Sequence, residues 1–384
     1  MRVLRAWLMA IPVFTRYFLY RVGLARRPKF TDYYPEYQAF CGSILHWDRR
    51  TRIVGAEHCP RQGPAVFAAN HVRITDPLYL FRAVTRASGG GLYVRFMARD
   101  DFFKHWAWRF FPFKPSDMLE MGGACFISRG SAKPAQLKPF VDLLDQRESF
   151  LLFPGGTRTR SGVLIEYSVR SARSRGVAFF LAQTQSRHPD WSVPAVPLVR
   201  TFNPVRHNSV VVFGPPLYLE PDADRERQRA FDEELAARLG ELVEIHVPHL
   251  VCALLYLWCL HRRGCELPVS ALRGACAHAR DRLESRHIHP DAFVRLDGEI
   301  RATLRYLRRR GMVRLTRHHV RPDTDRILGC PPLDTKYRKR NPVKFIANQL
   351  LHMPDVIRAV EAAAEGMGER GGAVPPPEGS SPSL

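Results

Sequence analysis

Residues 65–77, AVFAANHVRITDP, decide how this chain folds. The run AVFAAN is apolar and of strand length, and it reads as a buried strand. His71 and Asp76 follow it directly. Pro77 then takes the first position of a helix through LYLFRAVTR (78–86). A buried strand, a polar loop and a helix in immediate succession form the repeating unit of an α/β layer. Further strands read at LYVRFMA (92–98), ACFISRG (124–130), SFLLFP (149–154), VPAVPLVRTF (193–202) and SVVVFGPPLYL (209–219). Helices read at AKPAQLKPFVDLLDQRE (132–148) and VAFFLAQTQ (177–185). This alternation predicts an α/β fold, a mixed sheet flanked by helices.

From about residue 221 the pattern becomes helical. DADRERQRAFDEELAARLGELVEI is amphipathic, HLVCALLYLWCL is apolar but short for a membrane span, and PVKFIANQLLH continues the series. A mostly helical module is expected over 221–360, with a disordered Gly/Pro/Ser-rich tail over 361–384. At the other end, the apolar part of MRVLRAWLMAIPVFTRYFLY is also too short to span a bilayer. An interfacial helix suits it, with Trp7, Phe14, Tyr17 and Phe18 at lipid depth and arginines among headgroups. Residues 1–45 are therefore read as an amphipathic membrane-associating segment, with a second domain over 46–220.

Lys+Arg 58 against Asp+Glu 37 gives a net charge of +21. Such an excess attracts polyanions: nucleic acid, an anionic bilayer or phosphorylated substrates. The eight cysteines form no C-x-x-C pair and several lie in apolar runs, which fits a reducing compartment. His287, His289, His318 and His319 have no acidic or cysteine neighbours at telling spacing, so no metal site is expected. Trp106 and Trp108, in DFFKHWAWRFFPFK, suit an acyl groove, a membrane contact or core packing.

A loop at a strand's end can fold His71 and Asp76 together. Imidazole has the pKa of a general base, and a carboxylate on its other nitrogen fixes the tautomer and stabilises the imidazolium. Ser128 and Arg129 follow one strand, and Gly155, Gly156, Thr157, Arg158 and Arg160 follow another. Glycines admit close backbone approach and guanidinium groups recognise phosphate. All three segments end strands, where ligands of α/β sheets gather.

The ordered blocks resemble the glycerolphosphate acyltransferase superfamily. Asn70, His71 and Asp76 match its N-H-x4-D box; Gly123–Arg129 match G-x-x-F-I-x-R; Phe153–Gly162 match its third block; Val193–Leu198 match the V-P-V-x-I-like strand. The resemblance implies an acyltransferase domain over 46–220 with His71 as base, Asp76 as its orienter, and Arg129 and Arg158 on the acceptor's phosphate. It also implies acyl-CoA or acyl-carrier protein as donor, a glycerol-phosphate-type acceptor and no metal or further cofactor. The amphipathic start, the basic excess and the cysteines in apolar runs lead to an expected place on the cytoplasmic face of a membrane. Gly156, Thr157, Arg160 and Arg73 complete the expected substrate contacts. Gly155 departs from the family's usual glutamate, and Arg73 and Ile74 replace small or polar residues. The glycerol-3-phosphate and lysophosphatidate branches both stay open.

Two other readings stand beside this one. A catalytically weakened relative would bind phospholipid headgroups. Alternatively, DGEIRATLRYLRRRGMVRLTRHHVRPD (297–323) has the helix-then-basic-strand look of a winged-helix, nucleic-acid-binding unit.

Overall fold

A computed structural model describes residues 2–44, 47–99, 114–127, 134–165, 176–283 and 287–369. Ser128, Arg129, Trp106, Trp108 and residues 370–384 lie outside these ranges. The chain divides into two compact units. The first comprises Met1–Thr157, Tyr167–Arg200 and Ser209–Leu239; the second comprises Arg158–Glu166, Thr201–Asn208 and Gly240–Leu384.

In the first unit α1 (Arg2–Arg21), α2 (Phe30–Ile44) and α3 (Trp47–Arg50) lead into β1 (Thr51–Val54). There follow β2 (Val66–Ala69), α4 (Asp76–Ala87), β3 (Val94–Arg99), α5 (Pro115–Met121), β4 (Ala124–Ile127), α6 (Pro134–Asp145) and β5 (Ser149–Leu152). The unit closes with α7 (Val177–Arg187), β6 (Ala195–Asn203), β7 (Asn208–Phe213) and α8 (Arg225–Glu241). The seven strands form one sheet in the order β1-β7-β6-β2-β5-β3-β4. β2 runs parallel to both β5 and β6, and β3 runs parallel to both β4 and β5. β7 is parallel to β1 and joins β6 through a tight turn. A turn that short permits only antiparallel neighbours, so the sheet is mixed.

Both faces of this sheet are buried, and the side-chain period of two divides them. Phe67, Ala69, Leu151, Val196 and Leu198 pack with Leu80, Phe81 and Val84 of α4. Val66, Ala68, Phe150, Leu152 and Ala195 face the other way, onto Phe140 and Leu144 of α6, Phe180 and Leu181 of α7, and Phe231 and Leu235 of α8. A strand covered on both sides reads as a continuous apolar run, which is why AVFAA carries no alternation.

Four features differ from the sequence reading. Strand β1, TRIV, was not anticipated; its half-polar pattern hides it, and its pairing with β7 creates it. Helix α8, expected to open the C-terminal module at 221, instead packs in the sheet's core, where Asp232 accepts the Ala178 N–H at 3.1 Å. Tyr17, expected at lipid depth, is buried with Val13, Tyr33, Tyr37 and Met121, and its hydroxyl accepts the Lys114 N–H at 2.8 Å. Phe14 meets Phe40 edge-on at 5.5 Å, whereas Phe18 is exposed.

The second unit is built on α9 (Val247–His261), followed by β8 (Leu267–Pro268), α10 (Val269–Asp281), α11 (Asp291–Val294) and α12 (Leu296–Arg309). Then come β9 (Val313–Leu315), β10 (His319–Pro322), α13 (Thr324–Leu328), α14 (Tyr337–Arg340), α15 (Pro342–Ala347) and α16 (Pro354–Glu369). Helix α9 is apolar on nearly every side and buried, with α10, α12, α15 and α16 packed around it. Among the described residues no helix is long and apolar enough to cross a membrane. The disordered tail expected from 361 begins too early. Val356, Ala359, Val360, Ala363 and Met367 carry a buried helical stripe to the end of α16.

Two glycines separate backbone strain from crowding. Gly55 (φ +69°) would place a Cβ 2.2 Å from the Phe213 carbonyl oxygen, whereas Gly89 (φ +68°) has open space around it. Gly89→Ala should cost about 1 kcal/mol through strain alone. Gly55→Ala should cost at least about twice that, since the β7 backbone must also move. Urea unfolding followed by circular dichroism would measure both, and equal losses would contradict the crowding argument.

Candidate active site

Because β6, β2 and β5 are parallel neighbours, their carboxyl ends share one edge of the sheet. The registers Ala69↔Leu198 and Ala68↔Leu152 bring the residues after β2, those after β5 and Arg200 of β6 out side by side. Asn70 ties two of these ends together. Its Oδ1 accepts the Arg200 N–H at 2.8 Å and its Nδ2 donates to the Arg200 carbonyl at 3.1 Å.

Asp76 begins α4, and Pro77 follows where no N–H is needed. The Asp76 carboxylate turns back over the loop. Its Oδ2 accepts the N–H groups of Val72 and Arg73, both at 2.6 Å, and faces His71 Nδ1 at 3.2 Å. Its Oδ1 accepts from Arg200 Nη1 at 2.6 Å, and both side chains of that pair are only 2% exposed. Arg200 is itself held on all sides. Ser209 Oγ accepts from its Nε at 3.2 Å and its Nη2 at 2.9 Å, Thr75 Oγ1 accepts from Nη1 at 3.3 Å, and its guanidinium carbon lies 3.5 Å from the Tyr79 ring centroid.

Burial pushes the Asp76 carboxyl up, but the His71 hydrogen bond and the Arg200 charge outweigh it and hold the group below the ordinary carboxylate range. An ionised carboxylate only accepts hydrogen bonds, so the proton between it and His71 belongs to Nδ1. The neutral ring therefore keeps its lone pair on Nε2. The His71 side chain is 20% exposed and stacks on Phe153, with ring centroids 4.2 Å apart and planes at 20°. Chemically, the arrangement is a proton acceptor with a fixed tautomer, backed by a permanently charged partner.

Of the residues anticipated from sequence, His71 and Asp76 are in contact, and the Arg73 backbone joins them. Gly156 and Thr157 follow Phe153. The Gly156 N–H closes a turn on the Phe153 carbonyl at 2.8 Å, and its φ of 64° suits glycine. Arg158 and Arg160 belong to the second unit, where Arg160 Nη1 donates to the Leu333 carbonyl at 3.4 Å. Arg129 lies outside the described residues. Arg200 and Asn70's clamp on it were missed. The available signal was a lone arginine inside the apolar run 193–202.

Residues 50–200 match the family model described as Acyltransferase. Over that stretch the chain is similar to the acyltransferase family. All four sequence blocks fall within the matched stretch. A solved structure, the 1-acyl-sn-glycerophosphate (LPA) acyltransferase PlsC from Thermotoga maritima, aligns with a TM-score of 0.36 at 16% identity. The alignment covers 61% of this chain and 94% of that one. A likeness of that size decides nothing about acceptor or donor. No curated protein matches the sequence.

The buried charges make the site's stability depend on pH. The folded Asp76 pKa is lowered, so its contribution is whole above the unfolded value of about 3.9 and is lost as pH falls through the folded value. Asp76→Asn leaves Arg200 buried without its counter-charge and should cost about 3–5 kcal/mol at neutral pH. The gap between variant and wild type should narrow below about pH 4. Denaturant titrations across pH would check this, and a gap independent of pH would contradict the charged pair.

Proposed function

We propose that this protein is an acyltransferase that moves a fatty acyl group from a thioester, on coenzyme A or acyl-carrier protein, to a hydroxyl of glycerol-3-phosphate or lysophosphatidate in phospholipid synthesis. The carrying observation is the His71–Asp76 pair, with the Nε2 lone pair fixed at the carboxyl edge of a parallel sheet. As the acceptor oxygen attacks the thioester carbonyl carbon, its proton passes to His71 Nε2. The carbon–sulfur bond then breaks, and the imidazolium returns the proton to the departing sulfur. Asp76 stabilises the imidazolium between these transfers.

The family pattern supports Arg129, Arg158 and Arg160 as contacts for the acceptor's phosphate, and Arg73, Gly156 and Thr157 as further substrate contacts. Gly155 removes the carboxylate usual in that block, which leaves this segment cationic and favours a phosphate-bearing acceptor. Attachment to the cytoplasmic face of an anionic membrane is supported by Leu8, Ile11 and Phe18, exposed on α1 among its arginines. Eight free cysteines suit that reducing side.

Purified protein with labelled acyl-CoA or acyl-carrier protein should acylate at least one of glycerol-3-phosphate, lysophosphatidate or a lysophospholipid. His71→Ala should lower the rate by about two orders of magnitude or more. Full activity in the variant would reject His71 as base. Lipid binding without thioester consumption by wild type would instead favour the headgroup-binding reading.

A second reading has its own observation. The order α9, β8, α10, α12, β9, β10 and the antiparallel sheet β8-β10-β9 have the topology of a winged-helix unit. Arg301, Arg305 and Arg308 form one exposed row on α12, and Arg314, Arg317 and Arg321 are exposed on the hairpin. This supports duplex nucleic acid as a second ligand. Replacing the α12 row by glutamate should abolish salt-dependent DNA retention and leave acyl transfer unchanged. Equal retention by the variant, or binding to anionic vesicles alone, would reject it.

A further inference from the structure

The second unit holds a cluster of metal-ligating side chains that acyl transfer does not use. VEIH (243–246) and HIHPD (287–291) lie far apart in sequence. Ile245 bridges Ile288 in a parallel β-bridge. The Ile245 N–H donates to the His287 carbonyl at 2.8 Å, and the His289 N–H donates to the Ile245 carbonyl at 2.9 Å. Side chains alternate along extended backbone, so Glu244 and His246 share one side of their segment. His289, two residues beyond His287, whose carbonyl accepts the Ile245 N–H, joins them there.

One ligand atom from each of Glu244, His246 and His289 lies within 4.8 Å of the other two. Both imidazole Nε2 atoms stand 3.9 Å from Glu244 Oε1. The rings of His246 and His289 stack at 4.6 Å and 28°. The backbone around them is anchored: Thr201 Oγ1 accepts the Glu244 N–H at 3.2 Å, and His249 Nδ1 accepts the His246 N–H at 3.0 Å.

We infer that Glu244, His246 and His289 form a binding site for a first-row divalent cation, with zinc the best fit. Two imidazoles and one carboxylate suit such a borderline ion, whereas magnesium and calcium favour oxygen donors throughout. An ion bonded at roughly 2.0–2.1 Å holds its donors about 3.3 Å apart, so each His–Glu gap must close by about 0.6 Å. The Asp291 N–H donates to His289 Nδ1 at 3.2 Å, which leaves the ring proton on Nε2, and Asp291 Oδ2 lies 3.4 Å from the same Nδ1. Binding an ion through Nε2 therefore moves the ring proton to Nδ1, where that hydrogen bond must give way and the Asp291 carboxylate can accept instead. Unlike the histidines at 318 and 319, which are exposed, this group lies inside the fold.

The test uses the full chain without a histidine tag, stripped with chelator. Wild type should take up one equivalent of Zn²⁺ in competition with a chromogenic chelator, and Co²⁺ should give the visible d–d bands of a low-symmetry nitrogen–oxygen site. His289→Gln and Glu244→Gln should each weaken uptake at least about tenfold, with unchanged circular dichroism. The wild-type Co²⁺ spectrum decides the matter even if a variant fails to fold. Wild type with no stoichiometric uptake and no d–d bands, or uptake unchanged in folded His289→Gln, would reduce the cluster to a hydrogen-bonded polar group and overturn the proposal.

Discussion

A carboxylate sealed from water between a guanidinium and an imidazole is the constraint on which the first unit depends. Asp76 joins three elements that are otherwise separate: the first turn of α4, the loop after β2, and β6 through Arg200. Each charge is tolerable only because the other is present, since a lone ion at that depth would cost several kcal/mol. Two backbone N–H groups of the loop also bond to the same oxygen that faces His71. The loop cannot relax without leaving that oxygen under-satisfied. The proton-accepting ring is thus aimed by the same interactions that close the core beneath it.

The sheet explains why such a cluster forms at this edge. A parallel arrangement covered on both faces gathers polar groups near its strand ends, and β2 and β5 end together beside Leu198 of β6, two residues before Arg200. Asn70 pairs reciprocally with the Arg200 backbone, extending the β2–β6 contact one residue past the last apolar pair. Phe153, just past β5, supplies the flat surface on which His71 rests. Neighbouring strands therefore contribute the imidazole, its support and the counter-charge.

His71 and Asp76 could be read from the sequence because five residues separate them and a strand precedes them. Arg200 could not, because its partner lies 124 positions earlier and its only mark was a charge among apolar residues. Tyr17 misled for the opposite reason. An amphipathic stripe looks alike whether it meets lipid or protein, and Tyr33 and Tyr37 of α2 were needed to cover it. Glu244 and His246 alternate as a strand would, but the bridge to Ile288 that makes the alternation meaningful is non-local. Period and propensity report what each segment buries. They do not report which distant segment it buries against.

The same distinction governs the third sequence block. The chain leaves the first unit after Thr157, and Arg158–Glu166 fold with Gly240–Leu384. Gly162, at φ +100°, would place a Cβ 2.1 Å from the Phe345 carbonyl oxygen, so the backbones touch where only glycine fits. Asn348 donates to the Ser161 carbonyl at 2.9 Å from the helical segment that follows. Thr201–Asn208 behave alike, with Arg206 bonded to the buried Glu299 at 2.6 Å. Two excursions from the sheet are therefore shaped by the C-terminal helices, and one of them carries Arg158 and Arg160. The His71 imidazole and the guanidinium-bearing loop therefore belong to different units, and the C-terminal helices hold the part of the third block that begins at Arg158.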